Sequence, residues 1–360
     1  MEKISEEYPS AIVREGGLAA LLNYLDFFST TVQRTALQAA ANCCRNVAVD
    51  NFNMIRDVFP ILRNVLGYAD QRLVEFACLC IIRVIESYHR SSAGLLETLI
   101  DADLIRAVHA LLLPAGSSPL ISPNTYTQFL RALGTAAKAS PKIAIALLEA
   151  DVVDILYQIL TGVLPPQTDS HTEEGDGDGG QGLGGGLADM AVMENLAHRP
   201  KEQVEEALTL ISELLPPLSK EGVFDHKGYT EKSLARLIKA KAKADRAAQR
   251  ATSSAAPSKA PTPSLPEDNA PTPEIFIPVI DGSSAGTPNP INKDAAKIEM
   301  LRSQPELMAK FTKSLVPVLV DVYAASVASQ VRNKTLNGLL KAVSFLDGDD
   351  LKNALKVNNF

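Results

Sequence analysis

The stretch GGLAALLNYLDFFSTTVQRTALQAAANCCRNV, residues 16–47, carries the pattern that decides the fold. Counted from Gly17, its apolar residues Leu18, Leu21, Leu22 and Leu25 fall at offsets one, four, five and eight. Those offsets mark one face of an α-helix. The same register returns on three further anchors, Asp57, Asp103 and Asp151. The matching sets are Val58, Ile61, Leu62 and Val65, then Leu104, Ala107, Val108 and Leu111, then Val152, Ile155, Leu156 and Ile159. The anchors lie 40, 46 and 48 residues apart, the interval of armadillo or HEAT-like units. The expected fold is therefore all-α: an armadillo/HEAT-like right-handed helical solenoid with disordered inserts.

A second helix follows each of these first helices. TVQRTALQAAANCCRNV and RLVEFACLCIIRVIESY follow directly. TYTQFLRALGTAAKAS follows a longer loop, PAGSSPLISPN. Segments 202–218 and 330–347 read as later second helices, parted from their partners by inserts. In FACLCIIRVI almost every position is apolar, so that helix is expected to be sandwiched between neighbours. Cys43, Cys44, Cys78 and Cys80 then read as buried thiols packing as small hydrophobes.

Composition supports the helical reading. Aromatics make up 5% of the 360 residues and Trp is absent, so the apolar content is mostly Leu, Ala, Val and Ile. Ala and Leu are strong helix formers. A net charge of −7 gives no overall pull toward nucleic acid or anionic membrane. No apolar run reaches the length of a membrane span, and Met1 leads into the polar run EKISEEYPS. A cytoplasmic or nuclear setting is expected from the lack of a disulfide framework.

The chain changes character several times. Residues 1–165 are the repeat block, and 166–200 an acidic, Gly-rich linker carrying GDGDGGQGLGGG. That run is not a nucleotide loop, because no strand precedes it and such dense glycine is costly to order. Residues 201–225 return to repeat helix, and 226–250 form a basic helix, EKSLARLIKAKAKADRAAQR, with no aromatics to stack bases. Residues 251–290 are a Pro/Ser/Thr-rich insert expected to be disordered, and 291–360 are further repeat helices that read as truncated.

No constellation for catalysis stands out. His89, His109, His171, His198 and His226 lack a second His or Cys at ligand spacing, so no metal site is expected. Neither a G-x-S-x-G elbow nor a P-loop is present, and no cofactor or catalytic residue is assigned. The wet side of the first helices is more informative. Offset six holds Asn23, Arg63, His109 and Tyr157, and offset three adds Arg106 and Asp154. Stacking would align them along one groove, and Arg, His and Tyr suit protein recognition.

The residues 16–47 resemble the armadillo region of HECT-type E3 ubiquitin ligases of the ubiquitin-fusion-degradation and thyroid-receptor-interacting class. RLVEFACLCIIRVIESY, LTLISELLPPLSKEGVF and PELMAKFTKSLVPVLVDVYAAS resemble the same class in order and spacing. The low-complexity inserts resemble a fungal member. Animal members carry a Trp-rich module after KEGIF-like residues, whereas here KEGVF leads to the basic helix. The resemblance implies a noncatalytic arm that binds protein substrates or ubiquitin chains. It also implies that an E2 is met only through a HECT domain whose catalytic Thr-Cys motif is absent here. An unrelated armadillo adaptor, such as a nuclear-import or signalling scaffold, is the alternative. It would carry a regular Trp/Asn array, and Trp is missing.

Overall fold

The computed structural model describes residues 2–113, 120–165, 186–218 and 290–356, with scattered residues between 235 and 246. No strand occurs among the described residues. The first repeat opens with α1 (Glu2–Glu7) and α2 (Pro9–Arg14), then α3 (Gly17–Leu22) and α4 (Thr30–Cys43). The second comprises α5 (Phe52–Val65) and α6 (Gln71–Tyr88). The third is α7 (Ala93–Leu99), α8 (Ala102–Leu112) and α9 (Pro123–Ala139). The fourth is α10 (Pro141–Glu149), α11 (Val152–Thr161), α12 (Gly186–His198) and α13 (Lys201–Leu214). The fifth is α14 (Pro290–Arg302), α15 (Pro305–Ala325) and α16 (Ser329–Phe345), followed by α17 (Gly348–Lys356).

Two parallel stacks result. The first helices α3, α5, α8, α11 and α15 each touch the next, and so do the second helices α4, α6, α9, α13 and α16. This is an all-α, armadillo-like solenoid, in which each unit buries its apolar face only against its neighbours. The repeat register is visible in burial. Leu18, Leu22, Leu25, Val58, Leu62, Val65, Leu104, Val108, Leu111, Val152, Leu156 and Ile159 are all buried. α3 is shorter than its pattern, since Leu25 falls in a 3-10 turn, Leu25–Phe27. The short leading helices α7, α10 and α14 were not separated by the sequence pattern. Their apolar runs merge with those of the helices they precede.

Local chemistry sets the boundaries. Asp70 and Asp101 cap α6 and α8 by accepting from Leu73 N at 3.1 Å and Leu104 N at 2.7 Å. Ser122 Oγ accepts from Thr125 N at 3.3 Å at the start of α9. Such caps satisfy amides that have no partner within the helix. The paired glycines ahead of α3 serve two separate needs. Gly16 has φ +77°, in the left-handed region, and a Cβ on Gly17 would sit 2.3 Å from Ile12 Cγ2. In α9, a Cβ on Gly134 would lie 3.7 Å from Leu210 Cα, marking a close crossing of α9 and α13.

Two regions differ from the sequence reading. Residues 186–198, read as the end of the linker, are helix α12, which packs on α11 and α15. Val192 is buried there, and Asn195 Nδ2 donates to Ile159 O at 2.8 Å. Tertiary contact thus supplies what the low hydrophobic periodicity of this segment could not reveal. Within the expected basic helix, Arg236, Lys239, Lys243 and Arg246 are helical and exposed. Its other basic residues, the rest of the acidic linker (166–185) and the insert up to 289 lie outside the described residues.

Candidate functional site

The six residues singled out on the first helices fall into separate groups. Arg63 on α5 reaches α8, placing Nη1 2.9 Å from Asp101 Oδ2 and 3.2 Å from Asp103 Oδ2. Arg106 pairs with the same Asp103, so Arg63 and Arg106 share a carboxylate. Asp154 turns toward the fifth repeat, where Lys310 Nζ lies 3.0 Å from its Oδ1. Tyr157 is half-buried against the core, and burial, followed by the charge of Asp321, raises its hydroxyl pKa. His109 is half-buried, with Nε2 enclosed and without a protein partner. Asn23 stands exposed at the end of α3. Two members of the row, Arg63 and Asp154, thus link one repeat to the next, while Arg106 pairs within its own helix.

Beside Arg63 opens a cleft of about 110 Å³, lined by Arg56, Phe59, Pro60, Arg63, Thr98, Leu99, Asp101 and Leu104. It is well below the volume of a typical small-molecule site. At the turns joining first to second helices the surface is apolar. Phe27 is 85% exposed and Tyr24 62%, with ring centroids 6.3 Å apart. Tyr68 in the next turn donates its hydroxyl to Asp26 Oδ1 at 2.6 Å.

The second helices carry a polar stripe that the sequence analysis did not single out. Arg131 Nη2 lies 3.0 Å from Glu206 Oε1, and Lys138 Nζ 3.8 Å from Glu213 Oε1. Lys334 Nζ lies 3.7 Å from Glu205 Oε2, and Asn337 Nδ2 donates to Ser212 Oγ at 3.0 Å. Arg83 donates to Ala41 O. A signal for it existed. Arg131 and Lys138, Glu206 and Glu213, and Lys334 and Lys341 are each seven residues apart, which is two helical turns on one face.

The thiols are poorly placed for chemistry. Burial pushes Cys43 up to about 11 and Cys78 up to about 12. Cys80 is raised by burial and then by its contact with Cys44. A thiol held protonated is neither a nucleophile nor a metal ligand. Among the described residues no cluster of three His, Cys, Asp or Glu could hold a metal ion. No described helix is long and apolar enough to cross a membrane.

The fold and this surface define a helical-repeat solenoid whose polar faces run the length of the stack. The chain is 30% identical over 362 residues to the E3 ubiquitin-protein ligase UPL3 of Arabidopsis thaliana, covering 100% of this chain and 16% of that protein. It is 27% identical over 364 residues to the E3 ubiquitin-protein ligase TRIP12 of Danio rerio, covering 99% of this chain and 16% of that protein. A probable ubiquitin fusion degradation protein of Schizosaccharomyces pombe is 32% identical over 216 residues, covering 60% of this chain and 12% of its own length. Plant, animal and fungal proteins are thus all similar to this chain, which spans about a sixth of the length of the first two. No family profile matches it. Among solved structures, a designed armadillo repeat protein aligns at a TM-score of 0.46 and 12% identity, covering 94% of this chain and 88% of that one.

Proposed function

We propose that this chain is the noncatalytic substrate- or ubiquitin-recognition scaffold of a HECT-type E3 ubiquitin-protein ligase acting in ubiquitin fusion degradation and proteasomal targeting. The similarity to UPL3 along the whole of the chain carries this reading. Two further observations support it. The repeats build long, continuous polar faces, which suit extended protein partners. All four cysteines are buried, and burial raises the thiols of Cys43 and Cys78, which makes them poor acceptors for ubiquitin.

The contact surface in this reading is the first-helix row, Asn23, Arg63, Arg106, His109, Asp154 and Tyr157. The cleft beside Arg63 receives one partner side chain, and the Arg63–Asp101–Asp103 cluster gives the polar rim. Any E2 would be met through a HECT domain elsewhere in the ligase. The test is titration of the purified chain with ubiquitin chains and with a ubiquitin-fusion substrate, read by heteronuclear NMR. The expected outcome is saturable binding to one of them, weakened by Arg63→Ala. Absence of binding to both would overturn the reading. In a parallel assay with charged E2, a thioester formed on this chain would overturn its noncatalytic part.

A further inference from the structure

The seam between the fourth and fifth repeats differs in kind from the seams before it. Among the described residues, cationic side chains at the earlier seams reach across in both directions. Arg34 of the first repeat pairs with Asp70 of the second, while Arg83 of the second donates back to Ala41 O of the first. Arg63 reaches forward to Asp101, whereas Lys142 of the fourth reaches back, its Nζ 3.0 Å from Glu97 Oε2. At the last seam four lysines of the fifth repeat reach back to acceptors in the repeats before it.

Four lysines take part. Lys297 on α14 donates to Ala137 O at 3.3 Å and to Glu213 O. Lys310 on α15 lies 2.6 Å from Asp151 Oδ1 and 3.0 Å from Asp154 Oδ1. Lys334 on α16 donates to Glu205 O at 3.1 Å, and Lys341 to Ser212 O at 2.7 Å. Several of these acceptors lie in the last turns of α9 and α13, where the helix dipole favours a cation. Complementary charges set across a surface in this way steer one body onto another. The two sides are also far apart in the chain, since residues 219–289 lie between them.

We propose that the fifth repeat, α14–α17, docks on the first four as a separate body through this lysine seam and undocks as one unit while the others stay folded. Apolar contact keeps the docked state dominant. A Cβ on Gly338 of α16, for example, would already stand within 3.9 Å of Ile211 Cγ2 of α13. Lys310 and Lys334 remain 38% and 30% exposed, so salt reaches and weakens their pairs. Undocking shortens the polar second-helix stripe by one repeat. It uncovers Asp151, Asp154, Glu205 and Glu213 as an acidic end face. This inference concerns the scaffold itself and does not depend on which partner it binds.

Hydrogen exchange of the full chain, followed by mass spectrometry, tests the proposal. The expected result is one shared exchange rate across α14–α17, faster than that of α4, α6, α9 and α13. Raising sodium chloride from about 50 to about 500 mM, which shortens the screening length several-fold, should accelerate α14–α17 alone. Lys310→Met and Lys334→Met should each accelerate it roughly two- to five-fold, the range for a partly exposed pair. Lys310→Arg should restore the parent rate. The salt series on the unaltered chain serves if a variant misfolds. Exchange of α14–α17 at one rate with α9 and α13 would overturn the proposal. So would fast exchange that ignores both salt and the lysine substitutions.

Discussion

The first helices and the second helices follow the same repeat, yet they hold the molecule together differently. α6 in the second stack has Cys78, Cys80, Ile81 and Val84 at 0% exposure, and it touches α4 on one side and α9 on the other. α8 in the first stack buries Leu104, Val108 and Leu111 but leaves Asp103 and Arg106 in water. The second stack supplies stability by apolar packing, with polar links limited to a single stripe. The first stack trades part of its packing for a wet row of charges. In this array the first helices, which are not completely enclosed, are the ones that leave charged side chains in water.

This contrast can be broken most strongly from inside. Leu130→Ala in α9 removes a side chain with 0% exposure, and should cost about 2–5 kcal/mol by loss of transfer energy and creation of a cavity. Urea denaturation would measure it. A cost near zero would mean that α9 is not the packed centre described above.

The next effect concerns pH. Burial is the main cause that lowers Lys297 to about 8, against the opposing pull of Glu213 and Asp294, with Lys341 and Lys138 adding to the lowering. In the unfolded chain a lysine titrates near 10.4. The folded state therefore releases this proton first, and unfolding takes one up. The Lys297 contribution should raise stability from pH 8 upward, with a slope of at most about 1.4 kcal/mol per pH unit. The thiols act oppositely above pH 9, since Cys43 and Cys78 keep their protons to about 11 and 12 in the fold. The clean window is thus pH 7.5–9, read as the difference in Tm between the parent chain and Lys297→Met. A difference that falls with pH would contradict the burial of that ammonium.

A third prediction sharpens the contrast through reactivity. Cys43, Cys44, Cys78 and Cys80 are all buried, so a maleimide reagent at pH 7.5 should label none of them until the chain is denatured. Rapid labelling of α6 in the native chain would show that the second stack opens. The smallest effect belongs to the wet row. Arg63→Ala loses two partly exposed ion pairs and should cost about 1 kcal/mol or less. Arg131→Ala on the second-helix stripe, where the guanidinium is 56% exposed, should cost no more. A large loss for either would move it from surface link to core element.

Much of this was legible in advance because helical periodicity and repeat spacing are local properties of the chain. Leu18, Val58, Leu104 and Val152 announce their burial by position alone. The candidate row was legible as a set of polar positions, but not as links: nothing near Arg63 in the chain indicates that Asp101 and Asp103 will stand beside it. The stripe of Arg131, Glu206 and Lys334 was hidden because its partners come from different repeats, at separations of 75 and 129 residues. Helix α12 was hidden for a related reason, since it depends on α11 and α15 for its buried face.

Residue periodicity thus specifies which segments are helices, which face of each is apolar, and that units of this kind must stack. It does so because each unit has too little core of its own to fold alone. The pairing of charges between repeats, the crossing at Gly134 that lets α9 and α13 approach, and the lysine contacts of α14–α16 arise only when distant segments meet. Electrostatic and close-packing energies depend on three-dimensional separation, and a linear pattern does not encode that distance.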